Sequence, residues 1–491
     1  MSRSDEEPGP RISLNLRVGV LVLVALASAS AYLTRHCLAV ANTTIQAELK
    51  LNSEQMGYVF SLFALGYMIF QIPGGAIGQR IGTRNALSLF SVVWSIFTVW
   101  TSFVASLIPL VVSRFFFGCA QAGLVPNTAQ IIKDWYPSKL HGSVSAMIGV
   151  AMSLGGAAAF WLTGRLMEHM HWRSVFQLYS LVGIAWAVAF WLVFRTRPEQ
   201  HPWVSARDDA CGAETGTASA ESAARIGDSS DLIETVSPDD SGSSTPRVPL
   251  WKLLAHASII WMCIQAPFRA AGYNLFVTYF PEFLERGHGL SVKQAADYSA
   301  WPLVGVIVGG FVGGSVIDLL QKLTGNRTLS RSGFACVSLL ITTALTVGSA
   351  FASTPGQVVL MITVGAGFSG MASPAVWVGL IDLGGKSAAV VSGASNTIGC
   401  LAGVIFTPLV GTLVDAIKVN SEGTTGSEGW QLLILVHAGF YLCAALAFAA
   451  VRIPAHPVTE PTPHDDSSVD AEDAASATNS PGDDSKESDS A

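Results

Sequence analysis

The chain has 491 residues, is half hydrophobic, is only 13% charged and carries a net charge of −7. Soluble domains average roughly 25% charged residues, so this composition, with a mean hydropathy of +0.45, excludes a soluble globular protein and indicates a chain that crosses a bilayer many times. The chain has no basic tract for nucleic acid, and its seven scattered cysteines form no CxxC or Cys/His cluster, so neither a disulfide framework nor a zinc site is indicated.

Taken in chain order, the sequence opens with an N-terminus, 1–17, that carries Arg3, Arg11 and Arg17 before the first apolar run. That run is too long for a signal-peptide core and many others follow it, so it reads as an uncleaved first span. A helix needs about 20 mostly apolar residues to cross the hydrocarbon. Six such segments lie near 18–41, 55–77, 85–106, 108–132, 143–166 and 174–195, and six more near 255–283, 296–320, 332–352, 357–381, 389–416 and 430–452. The fold class expected is therefore an all-α membrane protein of twelve transmembrane helices in two pseudo-symmetric six-helix bundles, at 18–195 and 251–452. The segment 196–250 reads as a disordered cytoplasmic linker and 453–491 as a disordered acidic cytoplasmic tail. From Pro454 onward there are ten acids and one lysine, and from Ser205 to Arg247 nine acids and three arginines. Both stretches are too polar and too poor in aromatics to bury a core.

Lys and Arg set the orientation. With the N-terminus inside, about nineteen of the 28 fall in cytoplasmic segments and about six in outer loops. Both termini are thus expected in the cytoplasm, with the protein in the cytoplasmic (inner) membrane. The halves also echo one another. Ser153–Leu166 and Thr397–Leu413 each place Gly early and a Gly-x-Leu later, and each is followed by a tryptophan, Trp172 or Trp430, opening the next span. Such repeats put a substrate site at their interface near the bilayer midplane, although small-residue patterns also recur wherever membrane helices pack.

Three arginines remain, and they lie inside spans. Arg35 sits past the middle of the first span, where an arginine costs about 2.5–3.5 kcal/mol on insertion scales, so it must face a cavity or a partner. Tyr32, Arg35, Ala39 and Asn42 share one helical face and offer a phenol, a cation and an amide. That is the chemistry of an anion site, because guanidinium grips a carboxylate through two parallel hydrogen bonds. The bland alternative is an arginine capping carbonyls. His36 points about 100° away and reads either as a satisfied buried histidine or as a group that moves protons. Arg269, in the seventh span, is either a second grip on the anion or a packing arginine bonded to carbonyls beside Pro267. Gln265 lies one turn before it. Arg114 opens the fourth span with Gln121 two turns on. Asp318 and Asp382 stand at span ends, where they organise loops. His437 reads as a packing residue.

Together these features resemble the major facilitator superfamily and, within it, the anion:cation symporter family of hexuronate, glucarate and galactonate transporters, sialin and the vesicular glutamate transporters. Gly74–Arg84 resembles the superfamily's loop motif between the second and third spans, with Arg80, Gly82 and Arg84 in place and Gln79 where Asp is usual. Arg114–Gly123 resembles the fourth-span motif, and Ser392–Leu413 the family's eleventh span. The resemblance implies that Tyr32 and Arg35 bind the substrate carboxylate, that Arg269 corresponds to a seventh-span arginine, and that Asn396 contacts ligand. It also marks two departures: Thr34 and Gln121 stand where the family carries proton-binding carboxylates.

The function expected is secondary transport of a small organic anion, a sugar acid or dicarboxylate, by alternating access. Arg35, Arg269, Tyr32, Asn396 and Gln265 would bind substrate, while His36, Gln121, Arg114, Arg80, Arg84 and Asp318 would serve coupling or gating. H+ or Na+ would couple transport, no cofactor is called for, and a monomer surrounded by lipid is expected. The rival reading is a transporter-like solute sensor signalling through its linker and tail. No constellation of catalytic residues at a common depth supports an enzyme.

Overall fold

The computed structural model describes residues 13–137, 140–200, 255–385, 388–421 and 427–454. Most of the expected linker and nearly all of the tail lie outside them. The described residues form fifteen α-helices: α1 Leu14–Val40, α2 Asn42–Leu49, α3 Ser53–Ile81, α4 Thr83–Phe103, α5 Leu107–Ala122, α6 Leu124–Trp135, α7 His141–His169, α8 Trp172–Val193, α9 Ala257–Thr278, α10 Phe280–His288, α11 Val292–Thr324, α12 Phe334–Ala350, α13 Pro355–Gly384, α14 Ala388–Ser421 and α15 Ser427–Ala450. In hydrocarbon every backbone N–H and C=O needs an internal partner, which the helix supplies. Capping is explicit where α3 and α11 begin, since Asn52 with Gln55 and Ser291 with Gln294 form reciprocal capping boxes.

Twelve spans result, in two six-helix bundles. Two of the spans are broken helices: the fourth is α5 followed by α6, with the break at Gly123, and the seventh is α9 followed by α10, which restarts with Pro281 in its first turn. Eleven of the spans meet a length and hydropathy test for crossing a membrane, and α9 does not. Gln265, Arg269 and Asn274 lower its hydropathy.

The two bundles repeat one packing scheme. In the first, α1 packs on α7, α3 on α5 and α4 on α8. The counterparts in the second are α9 on α14, α11 on α13 and α12 on α15. Between bundles, α3 packs on α14 and α7 on α11. Within the first bundle the approach of α3 to α5 needs glycine, because a Cβ at Gly66 or Gly118 would sit 2.2 Å from the facing carbonyl of Phe115 or Phe63.

The start of α1 and the end of α15 lie at one end of the described molecule, the termini end: the Tyr136 hydroxyl donates to Arg17 O near the start of α1, and Thr328 bonds Ile453 beyond α15. The opposite, distal end carries α2 and α10. The bundles join along that distal half. Ser61 Oγ donates to Val404 O at 2.7 Å, Asp415 accepts from the backbone N–H of Ser53 and Glu54 at 2.9 and 2.7 Å, and the ion pairs Arg165–Asp297 and Lys293–Glu168 link α7 to α11. Toward the termini the last bonds between bundles are made by Gln71, to Asn396 at 3.0 Å and to Cys400. Beyond them no hydrogen bond or ion pair joins the bundles among the described residues.

Candidate functional site

Arg35 stands in the second half of α1, half-buried, on the side facing α3 and α5. Its Nε donates to Gln121 Oε1 at 3.0 Å. Its guanidinium carbon lies 4.4 Å from the ring centre of Tyr32, 4.9 Å from Phe63 and 5.0 Å from Tyr67, a cage of aromatic faces that attracts a cation without neutralising it. Gln121, fully buried in the last turn of α5, uses its amide nitrogen on Ala31 O at 2.8 Å and Thr34 Oγ1 at 3.3 Å. Thr34 and Gln121, the two departures from the family pattern, are therefore in contact, and together with Arg35 they form one neutral-plus-cation network. The amide is suited to this place because it donates to a carbonyl and accepts from a guanidinium at once.

Arg269 stands in α9 of the other bundle. Its Nε is enclosed and has no hydrogen-bond partner, and Tyr441 of α15 lies within electrostatic reach of it. One turn on, Tyr273 comes within electrostatic reach of Tyr32 and Arg35 on one side and Tyr441 on the other. The order Arg35, Tyr273, Tyr441, Arg269 thus crosses from bundle to bundle. Among the described residues no carboxylate lies within ion-pair distance of Arg35, Arg114 or Arg269, while every salt bridge present involves other cations. Arg35 and Arg269 are both half-buried and have no ion-pair partner among the described residues, and leaving a cation unpaired away from water is costly. Two small cavities, of about 20 and 10 Å³, lie elsewhere, lined by C-terminal-bundle residues.

The remaining sequence candidates separate. Asn396 is exposed and donates to Gln71 at the last contact between α14 and α3. Gln265 is fully buried, its amide nitrogen on Met262 O of its own helix and its oxygen unpartnered. His36 turns toward α7: its ring lies 6.0 Å from Phe160, and a Cβ on Gly156 would come 3.2 Å from its ring. Arg114 is buried inside the N-terminal bundle against Thr101, Phe117 and Phe176, away from Arg35's cage. Arg80 and Asp318 are exposed, and Arg84 donates to Trp191 O at 2.6 Å while stacking on its ring. His437 packs between Phe276 and Tyr441. The described residues contain no His/Cys/Asp/Glu group that could hold a metal.

Sequence reasoning missed Phe63, Tyr67, Tyr273, Tyr441 and a polar cluster around Glu282. Only Glu282 carried a signal, a carboxylate inside the apolar run Tyr279–Leu284. The tyrosines look like ordinary membrane aromatics until α3, α9 and α15 are packed.

The chain is similar to several known proteins. A probable sulfoacetate transporter of Cupriavidus necator is 27% identical over 398 residues, covering 81% of this chain and 87% of that one. A probable galactarate/D-glucarate transporter of Bacillus subtilis is 28% identical over 415 residues, covering 82% and 86%. In fold, the chain matches the crystal structure of a bacterial homologue of the human lysosomal transporter Spinster with a TM-score of 0.68, at 21% identity over 90% of this chain and all of that one. It also matches a D-xylose-proton symporter at 0.65, with 12% identity over 87% of this chain and 97% of that one. Residues 24–407 match the Major Facilitator Superfamily. Twelve spans in two bundles of one packing scheme, and a match over most of the hydrophobic body, place this multi-pass integral membrane protein among transporters rather than enzymes: the chain belongs to the Major Facilitator Superfamily.

Proposed function

We propose that the chain carries a small organic anion across the membrane by alternating access, its negative groups held by Arg35 from one bundle and Arg269 from the other. The observation that supports this reading is a pair of membrane-embedded guanidinium groups on opposite bundles, neither with a carboxylate partner among the described residues. An anion binding there supplies the missing counter-charge in a medium where each such pairing is strong. Tyr32, Tyr67 and Asn396 present hydroxyl and amide groups to the rest of the ligand. The sulfoacetate and galactarate/D-glucarate relatives are named for anions of this size. The termini end faces the cytoplasm, which agrees with the Lys and Arg distribution, and the conformation is open to that side. With Thr34 and Gln121 neutral, a coupling ion is not taken up at this network.

Uptake into proteoliposomes of a panel of sulfonates, dicarboxylates and aldarates tests the proposal. Arg35→Ala should lower uptake of the accepted anion at least 100-fold, with Arg35→Lys intermediate because a point charge replaces a planar fork. Wild-type uptake by a folded Arg35→Ala protein overturns it.

A further inference from the structure

The distal end of the interface holds a charged cluster that the anion site does not use. Glu282 and Glu285 stand on α10, past the break that ends α9 at Thr278. Glu282 is fully buried. From the N-terminal bundle its carboxylate accepts Asn42 Nδ2 at 2.8 Å, Gln46 Nε2 at 3.2 and 3.3 Å, and Ser53 Oγ at 2.9 Å. From its own bundle it pairs with Lys418 at 2.9 Å and Arg286 at 3.4 Å. A buried carboxylate with two cations and three further donors is satisfied as an anion.

Glu285 is placed differently. Its Oε2 accepts Thr43 Oγ1 of α2 at 2.6 Å, but its Oε1 is buried without a partner. The charged groups around it are accounted for. On α10 they are Glu282 and Arg286, with His288 one turn further on, its ring against Phe283. From α14 come Lys418, held by Glu282, Asp415 and Ser53, and Asp415, which also accepts from the start of α3. From α2 come only the neutral Thr43, Asn42 and Gln46, and from α3 Glu54, whose carboxylate accepts the Tyr58 hydroxyl. On α11, Lys293 and Asp297 are taken by Glu168 and Arg165 of α7. Ionising Glu285 in this packing leaves a buried oxygen without a donor beside the Glu282 carboxylate, so the closed arrangement suits the protonated acid better than the anion.

The N-terminal-bundle side chains that bond Glu282 and Glu285, namely Asn42, Thr43, Gln46 and Ser53, are all neutral. Separating the bundles therefore leaves Glu282 with Lys418 and Arg286, breaks only amide and hydroxyl bonds that water replaces, and returns Glu285 to water and the ordinary carboxylate range.

We propose that Glu285 is a proton-binding site that sets the conformational equilibrium of the transporter: protonated, it keeps the distal end closed, and deprotonated it favours opening, while Glu282 is the latch itself. The proposal rests on the alternating-access reading. Its sign follows from linkage. The closed form, which buries Oε1 without a donor, binds the proton more tightly, so low pH favours closure and the preference is lost as pH rises. Where Glu285 titrates, the closed-to-open ratio falls by up to about tenfold per pH unit.

Spin labels on Ala47→Cys and Ala416→Cys, exposed alanines of α2 and α14 on opposite bundles, report the distal separation in the full-length protein. The labels go into a cysteine-free background shown to retain wild-type uptake, in lipid nanodiscs, without added anion. The short distance should dominate at pH 5.5 and give way to a longer one by pH 8. Glu285→Gln should hold the short distance at both pH values, and Glu282→Gln should show the long one at both. A wild-type distribution that does not change with pH, or a Glu285→Gln protein that keeps the wild-type response, overturns the proposal. Uptake of the anion panel at fixed pH separates the two readings. A pH-switched distance in a protein that takes up no anion leaves the latch standing and removes the transport reading, and uptake without a pH-switched distance does the reverse.

Discussion

The two halves of the interface between bundles are built from the same four helices, yet one is sealed and the other open. In the distal half a Cβ on Gly57 would lie 2.7 Å from the Pro408 backbone, one on Gly411 2.4 Å from Ser53 O, and one on Gly164 2.6 Å from Ala296. In the half toward the termini, Gly149, Gly310 and Gly314 have nothing within 4 Å. Glycine alone does not make the contact; backbone approach does, and it occurs where polar groups also meet across the interface. The distal seal combines close helix packing with the Glu282 cluster, and Gln71 and Asn396 mark where both end.

Four substitutions bear on that contrast. The largest effect is expected from Gly57→Val set beside Gly310→Val. The first pushes α3 off α14, so distal closure and anion uptake should fall at least 100-fold, whereas the second leaves the distal separation as in the wild type; spin-label distances for both variants check this, and equal effects would remove the distinction. Gln121→Glu comes next. An ionised carboxylate there faces Ala31 O and gives up the donation that Gln121 makes at 2.8 Å, so it must take a proton to restore that bond, and otherwise it pairs with Arg35 and competes with the anion. Uptake should then fall about tenfold between pH 5.5 and pH 7.5, and an unchanged pH profile would argue against the network around Arg35. The smallest effect belongs to Asp297→Asn at the partly exposed Arg165 pair. Such pairs contribute about 0–1 kcal/mol, so the closed population should shift less than about fivefold.

Much of this was legible in one dimension. Span positions, the six-and-six division and the placing of Arg35 and Arg269 inside spans follow from rules that act locally: a lipid-embedded backbone must bond within its own helix, and a charge at depth is costly. The seventh span shows the limit. Its polar residues were visible, but its restart at α10 was not, because the break at Tyr279 is held by packing against α3 and α14 through bonds to Ser53 O and Thr407 O.

Arg35 and Arg114 look alike as letters, each a lone cation in an apolar run. Their neighbours distinguish them: Gln121, 86 residues along the chain from Arg35, with a rim of tyrosines from two bundles, against Thr101 and two phenylalanines inside one bundle. The role of Glu282 was hidden in the sequence because its partners Asn42, Gln46 and Ser53 lie 240, 236 and 229 positions away. The sequence by itself determined that this chain spans a membrane twelve times and carries unpaired charge inside it, since those consequences depend on each segment's own transfer into lipid. Only the tertiary structure decided which charges meet across the interface and which end is closed, because those contacts depend on how closely helices far apart in the chain approach one another.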